Sequence, residues 1–194
     1  FSIPLSSDVG ISLPVWDLFT LNPAVRAKLR NFAYLRGKMH VRVTVSGTPF
    51  HYGRLLLSYQ SYPEKNENLI NHEGNLTLAP VWRELMLNYL SQSPGAISLD
   101  VKDNQPIDME CPFISTKPMH RLYNTSALVL GDTSSYDDLE KAGSLYIYSI
   151  NQIKSTSATP SEVSVYIYAW MTDVELGTLT ATQVGITTES RTMD

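Results

Sequence analysis

Two neighbouring stretches constrain this chain more than any other part of it. Lys38–Ser46, KMHVRVTVS, alternates strictly: Val41, Val43 and Val45 face one way and His40, Arg42 and Thr44 the other. A period of two marks a strand with one face buried and one in water. After a short connection, Arg54–Tyr59, RLLLSY, is apolar without alternation, as a strand covered on both faces reads. The connection itself, SGTPFHYG, carries a Gly-Thr-Pro turn signal, then Phe50, His51 and Tyr52, then Gly53. A short hairpin needs nothing so bulky.

The rest of the chain extends the β reading. Phe1–Leu5, FSIPL, alternates from its first residue. Pro14–Ala33 carries the best helical signal, with Asn22 placed to cap, Pro23 at a first helical position, and Val25, Leu29 and Phe32 at helical spacing. Val81–Leu90 is a second helical piece. Further strands are expected at Ala96–Val101, Pro106–Ile114, Gly143–Ile153 and Val163–Leu176. About seven strands, two short helices and long loops follow no βαβ rhythm, which argues against a parallel sheet and for an antiparallel sandwich. Long connections favour a jelly roll over a meander. An eight-stranded jelly roll needs one more strand, expected upstream of Phe1. Residues 1–176 then form the sandwich domain and residues 177–194 a polar tail.

Composition excludes several classes. The 194 residues are long enough for a sizeable single core, and 43% hydrophobic with 18% charged residues is ordinary for a globular domain. A net charge of −4 gives no basic footprint for nucleic acid. No apolar run approaches a membrane span. The single cysteine, Cys111, precludes an internal disulfide and falls on the inward face of a strand, where a small core residue is the simplest role. Sequons at Asn75-Leu76-Thr77 and Asn124-Thr125-Ser126 are read as silent.

Motifs of chemistry are sparse. There is no phosphate loop, zinc spacing or nucleophile elbow. His40, His51, His72 and His120 are scattered, and no catalytic, cofactor-binding or metal-ligating residue is identified. The one notable carboxylate pair is Asp137-Asp138. Adjacent acids can share a proton, but acids opening a short helical turn are the simpler explanation.

Lys38–Gln60, KMHVRVTVSGTPFHYGRLLLSYQ, resembles the paired strands of the major capsid proteins of picorna-like viruses (order Picornavirales, dicistrovirus- and marnavirus-like), with Ser46 where that family often has Asn. The upstream VWDLFTLNPAVRAKLRNFAYLRG and the downstream AISLDVKDNQPIDMECPFIS resemble the elements flanking those strands. The resemblance implies an eight-stranded antiparallel jelly-roll sandwich with sheets BIDG and CHEF. On that scheme Phe1–Leu5 is strand C, Lys38–Ser46 D, Arg54–Tyr59 E, Ala96–Val101 F, Pro106–Ile114 G, Gly143–Ile153 H and Val163–Leu176 I, with B upstream.

The implied function is structural: a subunit of a non-enveloped icosahedral, pseudo-T=3 capsid enclosing positive-sense single-stranded RNA, assembled in the host cytoplasm. Implied partners are two other major capsid proteins, symmetry copies of this chain and a small internal capsid peptide, with RNA contacted mainly by segments outside this chain. Phe50, His51, Tyr52 and Gly53 then form an inter-strand and assembly loop, the aromatics filling the sandwich edge. Some relatives carry an Asp-Asp-Phe motif thought to assist cleavage of the internal peptide. Asp137-Asp138-Leu139 departs from it at Leu139, so the role is not carried over, and the two acids are cleavage-assisting candidates by motif alone. The alternatives are a lectin-like or cytokine-like binding module and, less well supported, a two-carboxylate glycosidase.

Overall fold

The computed structural model describes residues 2–5, 10–63, 80–123, 136–151, 153–156 and 163–179. His72, both sequons and most of the polar tail lie outside these. In chain order the elements are β1 (Ser2–Leu5), β2 (Gly10–Leu13), α1 (Val15–Leu21), α2 (Pro23–Leu29), β3 (Phe32–Ser46), β4 (His51–Tyr52), β5 (Arg54–Ser61), α3 (Pro80–Ser91), β6 (Ile97–Asp100), β7 (Ile107–Cys111), β8 (His120–Arg121), α4 (Asp137–Glu140), β9 (Gly143–Ser149), β10 (Lys154–Ser155) and β11 (Val163–Leu179). Among the described residues no helix is long and apolar enough to cross a membrane.

One antiparallel sheet has the order β1-β11-β3-β7, with β8 also paired to β3, and the other the order β2-β9-β5-β6. These are the BIDG and CHEF orders, so the jelly-roll expectation holds. The strand assignment at the start does not. Ser2–Leu5 pairs with β11, Leu5 opposite Val163 and Ser2 opposite Tyr166, and therefore occupies position B. Strand C is Gly10–Leu13, paired with β9. The expectation of a B strand upstream of Phe1 is thus overturned. The missed strand has only four residues, from Gly10 to just before Pro14, too few for alternation to declare itself. Pro4 is tolerated in β1 because the strand lies at the edge of its sheet.

The long helix expected over 14–33 is two helices. Pro23 lacks an N–H, and the Asn22 side chain accepts from the Ala24 N–H at 3.0 Å, starting α2 afresh. The helical pattern also yields early to the sheet: β3 begins at Phe32, with Ala33, Leu35, Met39, Val41, Val43 and Val45 buried on one face. At the other end β11 runs to Leu179, past the expected domain limit at 176.

The core lies between the sheets. Val41, Val43, Met109, Cys111, Val163 and Val165 from one meet Leu55, Leu57, Leu99, Leu145 and Ile147 from the other. The unbroken apolar run of β5 has its explanation outside the sandwich. Leu56 and Tyr146 face away from the core and pack against Met86 and Leu90 of α3, so α3 buries the second face of that sheet. Cys111 is a buried core residue whose thiol is pushed up to about 12, by burial first and by the Glu110 charge second.

The approach of the β3–β4 turn to the β6–β7 loop is close enough to forbid a side chain. A Cβ on Gly47 would lie well inside van der Waals contact with the Val101 carbonyl oxygen. Gly47→Ala is expected to cost about 1–3 kcal/mol, since backbone must move to admit the methyl. Urea denaturation of the purified chain measures this, and an unchanged midpoint would refute it.

Candidate functional site

The bulky connection between β3 and β5 divides into an inner and an outer part. His51 is buried. Its N–H donates to the Thr48 carbonyl at 2.9 Å, and its Nδ1 accepts from the Thr48 N–H at 3.0 Å with the Thr48 hydroxyl at 2.7 Å. An Nδ1 that accepts from a backbone amide places the proton of the neutral ring on Nε2. His51 and Tyr52 pair with Ser155 and Lys154 of β10, and the Thr156 N–H donates to the Phe50 carbonyl at 3.0 Å. The Gly47 N–H donates to Asn104 Oδ1 at 2.8 Å, and Asn104 Nδ2 donates back to the Gly47 carbonyl at 2.9 Å. Loops from three parts of the chain are thereby tied together at one end of the sandwich.

The expectation that the aromatics fill the sandwich edge needs correction. His51 does the filling; Phe50 and Tyr52 are 58% and 48% exposed. Alternation in a two-residue ladder sends neighbours to opposite sides, so one of the three turns inward and its flanks turn out. Gly53 has φ +148, and a Cβ there would press on Ile153 at 3.2 Å. Only glycine enters β5 this way without strain.

The acids at 137–138 open a four-residue helix with Tyr136 at its N-cap. Asp138 accepts from Lys117 Nζ at 2.8 and 3.0 Å and from the Arg121 N–H at 3.1 Å. Partial burial opposes its ionisation, but the Lys117 hydrogen bond, the Arg121 amide and both positive charges outweigh it and hold the carboxyl below its usual range. Asp137 is exposed. The pair is therefore divided between an ion pair and the surface, the arrangement of acids that open a helical turn.

Beside this ion pair sits an aromatic knot that the sequence did not announce. His120 is buried, edge-on to Trp16 at 5.6 Å and tilted against Phe113 at 4.7 Å. Trp16 Nε1–H donates to the Tyr59 hydroxyl at 2.9 Å. Burial pushes the Tyr59 hydroxyl well above its usual range and lowers His120 to about 4, with Asp138 pulling it up and Lys117 down. These perturbed groups are explained by packing: each is held against ring faces or a neighbouring charge rather than aimed into an open cleft.

The outer face of the first sheet is a second feature missed. Tyr166, Tyr168 and Trp170 stand exposed in a row on β11. Opposite them on β3 lie Thr44, Arg42 and His40. The His40 ring stacks on Trp170 at 5.4 Å, and the Arg42 guanidinium lies 5.6 Å from its centroid while pairing with both oxygens of Asp108. The alternation in VSVYIYAWMTD held this signal. Among the described residues no group of three His, Cys, Asp or Glu side chains is placed to hold a metal.

Against known proteins the chain has consistent relatives. A family profile described as picornavirus capsid protein matches residues 8–127. The chain is 26% identical over 154 residues to the structural polyprotein of acute bee paralysis virus, covering 77% of this chain and 14% of that polyprotein. It is 24% identical over 163 residues to that of cricket paralysis virus, covering 82% and 15%. The chain thus spans about a seventh of these relatives. Among solved structures it is similar to a chain of the Triatoma virus empty capsid (18% identity, TM-score 0.66, 93% of this chain and 89% of that one). It is also similar to one from a marine algae virus of the order Picornavirales (23%, 0.67, 92% and 71%).

Proposed function

The chain belongs to the picornavirus capsid protein family, and from that premise we propose that it is one of three related jelly-roll subunits of a pseudo-T=3 shell around a single-stranded, positive-sense RNA genome. It is a capsid structural protein, and its work is assembly. The observation that carries the finer reading is the pairing of a complete BIDG and CHEF sandwich with aromatic side chains left outside it at Phe50 and Tyr52. Exposed large rings on a loop fixed by His51 and Gly53 suit contacts with neighbouring subunits, where aromatic anchors concentrate binding energy. In this reading Phe50 and Tyr52 touch the neighbours, and His51 and Gly53 hold them in place.

The partners are two other major capsid proteins and copies of this chain, with RNA met mainly through segments outside it and assembly in the host cytoplasm. No step of catalysis is assigned. Asp138, committed to Lys117 and the Arg121 amide, suits a structural role better than a proton-taking one in peptide cleavage. The binding-module alternative has no support in the family match.

Electron microscopy and mass spectrometry of particles purified from the native source test the reading. Uniform icosahedral particles holding two further chains of similar size and RNA are expected. A monomer or small oligomer without companion chains would overturn it. When the capsid chains are co-expressed, Phe50→Ser with Tyr52→Ser is expected to cut particle yield at least tenfold while leaving the melting temperature of the isolated chain unchanged. Undiminished yield would remove the loop from the assembly surface.

A further inference from the structure

Next to the tied loops lies a concavity of about 510 Å³ lined by Tyr52, Gly53, Arg54, Asp100, Lys102, Asn151 and Lys154. These residues come from parts of the chain far apart in sequence, and backbone pairing fixes their positions. The β4–β10 ladder sets Tyr52 opposite Lys154. The β5–β6 ladder sets Arg54 opposite Asp100, the Val101 N–H donates to the Gly53 carbonyl at 3.1 Å, and the Ile150 N–H donates to the Arg54 carbonyl at 2.8 Å. The volume falls in the range of small-ligand sites.

Its charge is opposite in sign to that of the chain. Arg54, Lys102 and Lys154 face one carboxylate, Asp100, whose Oδ1 accepts from the Lys102 backbone N–H at 3.3 Å. Among the described residues none of the three cations makes an ion pair or a side-chain hydrogen bond. Like charges gathered around one hollow repel, and this cluster has no counter-charge of its own sufficient to offset it. A ligand carrying two or more negative charges would. Asn151 adds an amide to the lining, and the half-exposed Tyr52 ring at the rim adds a flat surface of the kind on which a base stacks.

We propose that this concavity binds the phosphate of a nucleotide, with Arg54, Lys102 and Lys154 around the phosphate oxygens and Tyr52 against the base. The same chemistry is offered by a free nucleotide and by a nucleotide within an RNA strand. The site is open in the separate chain, before Tyr52 meets a neighbouring subunit: particle yield reads the assembly role of the loop, and ligand binding by the separate chain reads this one.

Calorimetric titration of the purified chain at fixed low salt tests it, with ADP, pyrophosphate, a short single-stranded RNA and hexaglutamate as probes. Saturable binding of ADP and pyrophosphate at one site per chain is expected. Lys102→Gln with Lys154→Gln should weaken both at least tenfold, while Lys38→Gln, a cation on the β3 surface paired with Asp173 at 3.2 Å, should change neither. Tyr52→Ser should weaken ADP and spare pyrophosphate. RNA binding at least tenfold tighter than ADP, and lost in the same variants, identifies the strand as the source; equal affinity identifies the free nucleotide. Absence of saturable phosphate binding overturns the proposal. So does binding untouched by the double variant, ADP indifferent to Tyr52→Ser, or hexaglutamate bound as tightly as pyrophosphate. Melting curves of each variant confirm that it is folded.

Discussion

Replacing Trp16 with alanine is expected to destabilise the chain by about 3–5 kcal/mol, the range for emptying a large aromatic site. Trp16 is 1% exposed. It closes one end of the sandwich, edge-on to Phe113 at 6.2 Å and to His120 at 5.6 Å, with its indole N–H on the Tyr59 hydroxyl. Alanine removes the ring from all three neighbours and strips Tyr59 of its donor. Because a domain of this kind is stable by only about 5–15 kcal/mol in total, such a loss shifts the denaturation midpoint far. Trp16→Phe separates the terms: it keeps much of the ring packing and loses the hydrogen bond, for about 1–2 kcal/mol. Guanidinium denaturation of both variants gives the comparison. A loss below 1 kcal/mol for Trp16→Ala would mean that this end of the core collapses around the gap.

The second large effect is a loss of stability in mild acid. Folding depresses His120 to about 4 from its ordinary 6.5, so the unfolded chain takes up a proton that the folded chain refuses. Its contribution is full above pH 6.5, declines as pH falls toward 4, and changes no further below that. A depression of this size is worth roughly 3 kcal/mol. Asp138 acts lower on the scale: its carboxyl is held below the ordinary 3.8, and its contribution fades only as pH falls below that value. Denaturation midpoints at pH 7.5, 6, 5 and 4 should therefore drop across the histidine window. His120→Phe should flatten that part of the curve, leaving the Asp138 decline in place. A wild-type curve already flat between 6.5 and 4 would refute the assignment.

Parts of this structure were legible because local signals and global packing agree. Val41, Val43 and Val45 alternate because one face of β3 meets the core, and Leu55, Leu56 and Leu57 run together because α3 covers what the core does not. Asn22 and Pro23 restart a helix by hydrogen-bond chemistry that needs only adjacent residues. Other parts are set by contacts distant in sequence. Gly10–Leu13 is a strand because β9 offers it a partner, and its four residues carry too little pattern to say so. Phe32 satisfies a helical period, yet its backbone pairs with Leu179. Among Phe50, His51 and Tyr52, which ring turns inward is decided by pairing with Lys154 and Ser155. The cationic concavity is the extreme case: Arg54, Lys102 and Lys154 are unremarkable singly and meet only through the fold.

The central seam of the first sheet joins β3 to β11, Val45 opposite Val165 and Phe32 opposite Leu179, and β11 also carries β1 on its far side. Strands separated by most of the chain must close a long loop before any of that pairing rewards them. During synthesis the order of arrival is therefore fixed. The ribosome delivers β1, β3 and β7 early, and β1 and β3 wait, with their backbone pairing edges unmatched, until the strand between them has emerged. The second sheet is complete once β9 has been made, so it has a head start. A chain halted before Val163 lacks the middle of a sheet rather than its margin, and the translation time from β3 to β11 is the period during which this protein most needs shielding from its neighbours.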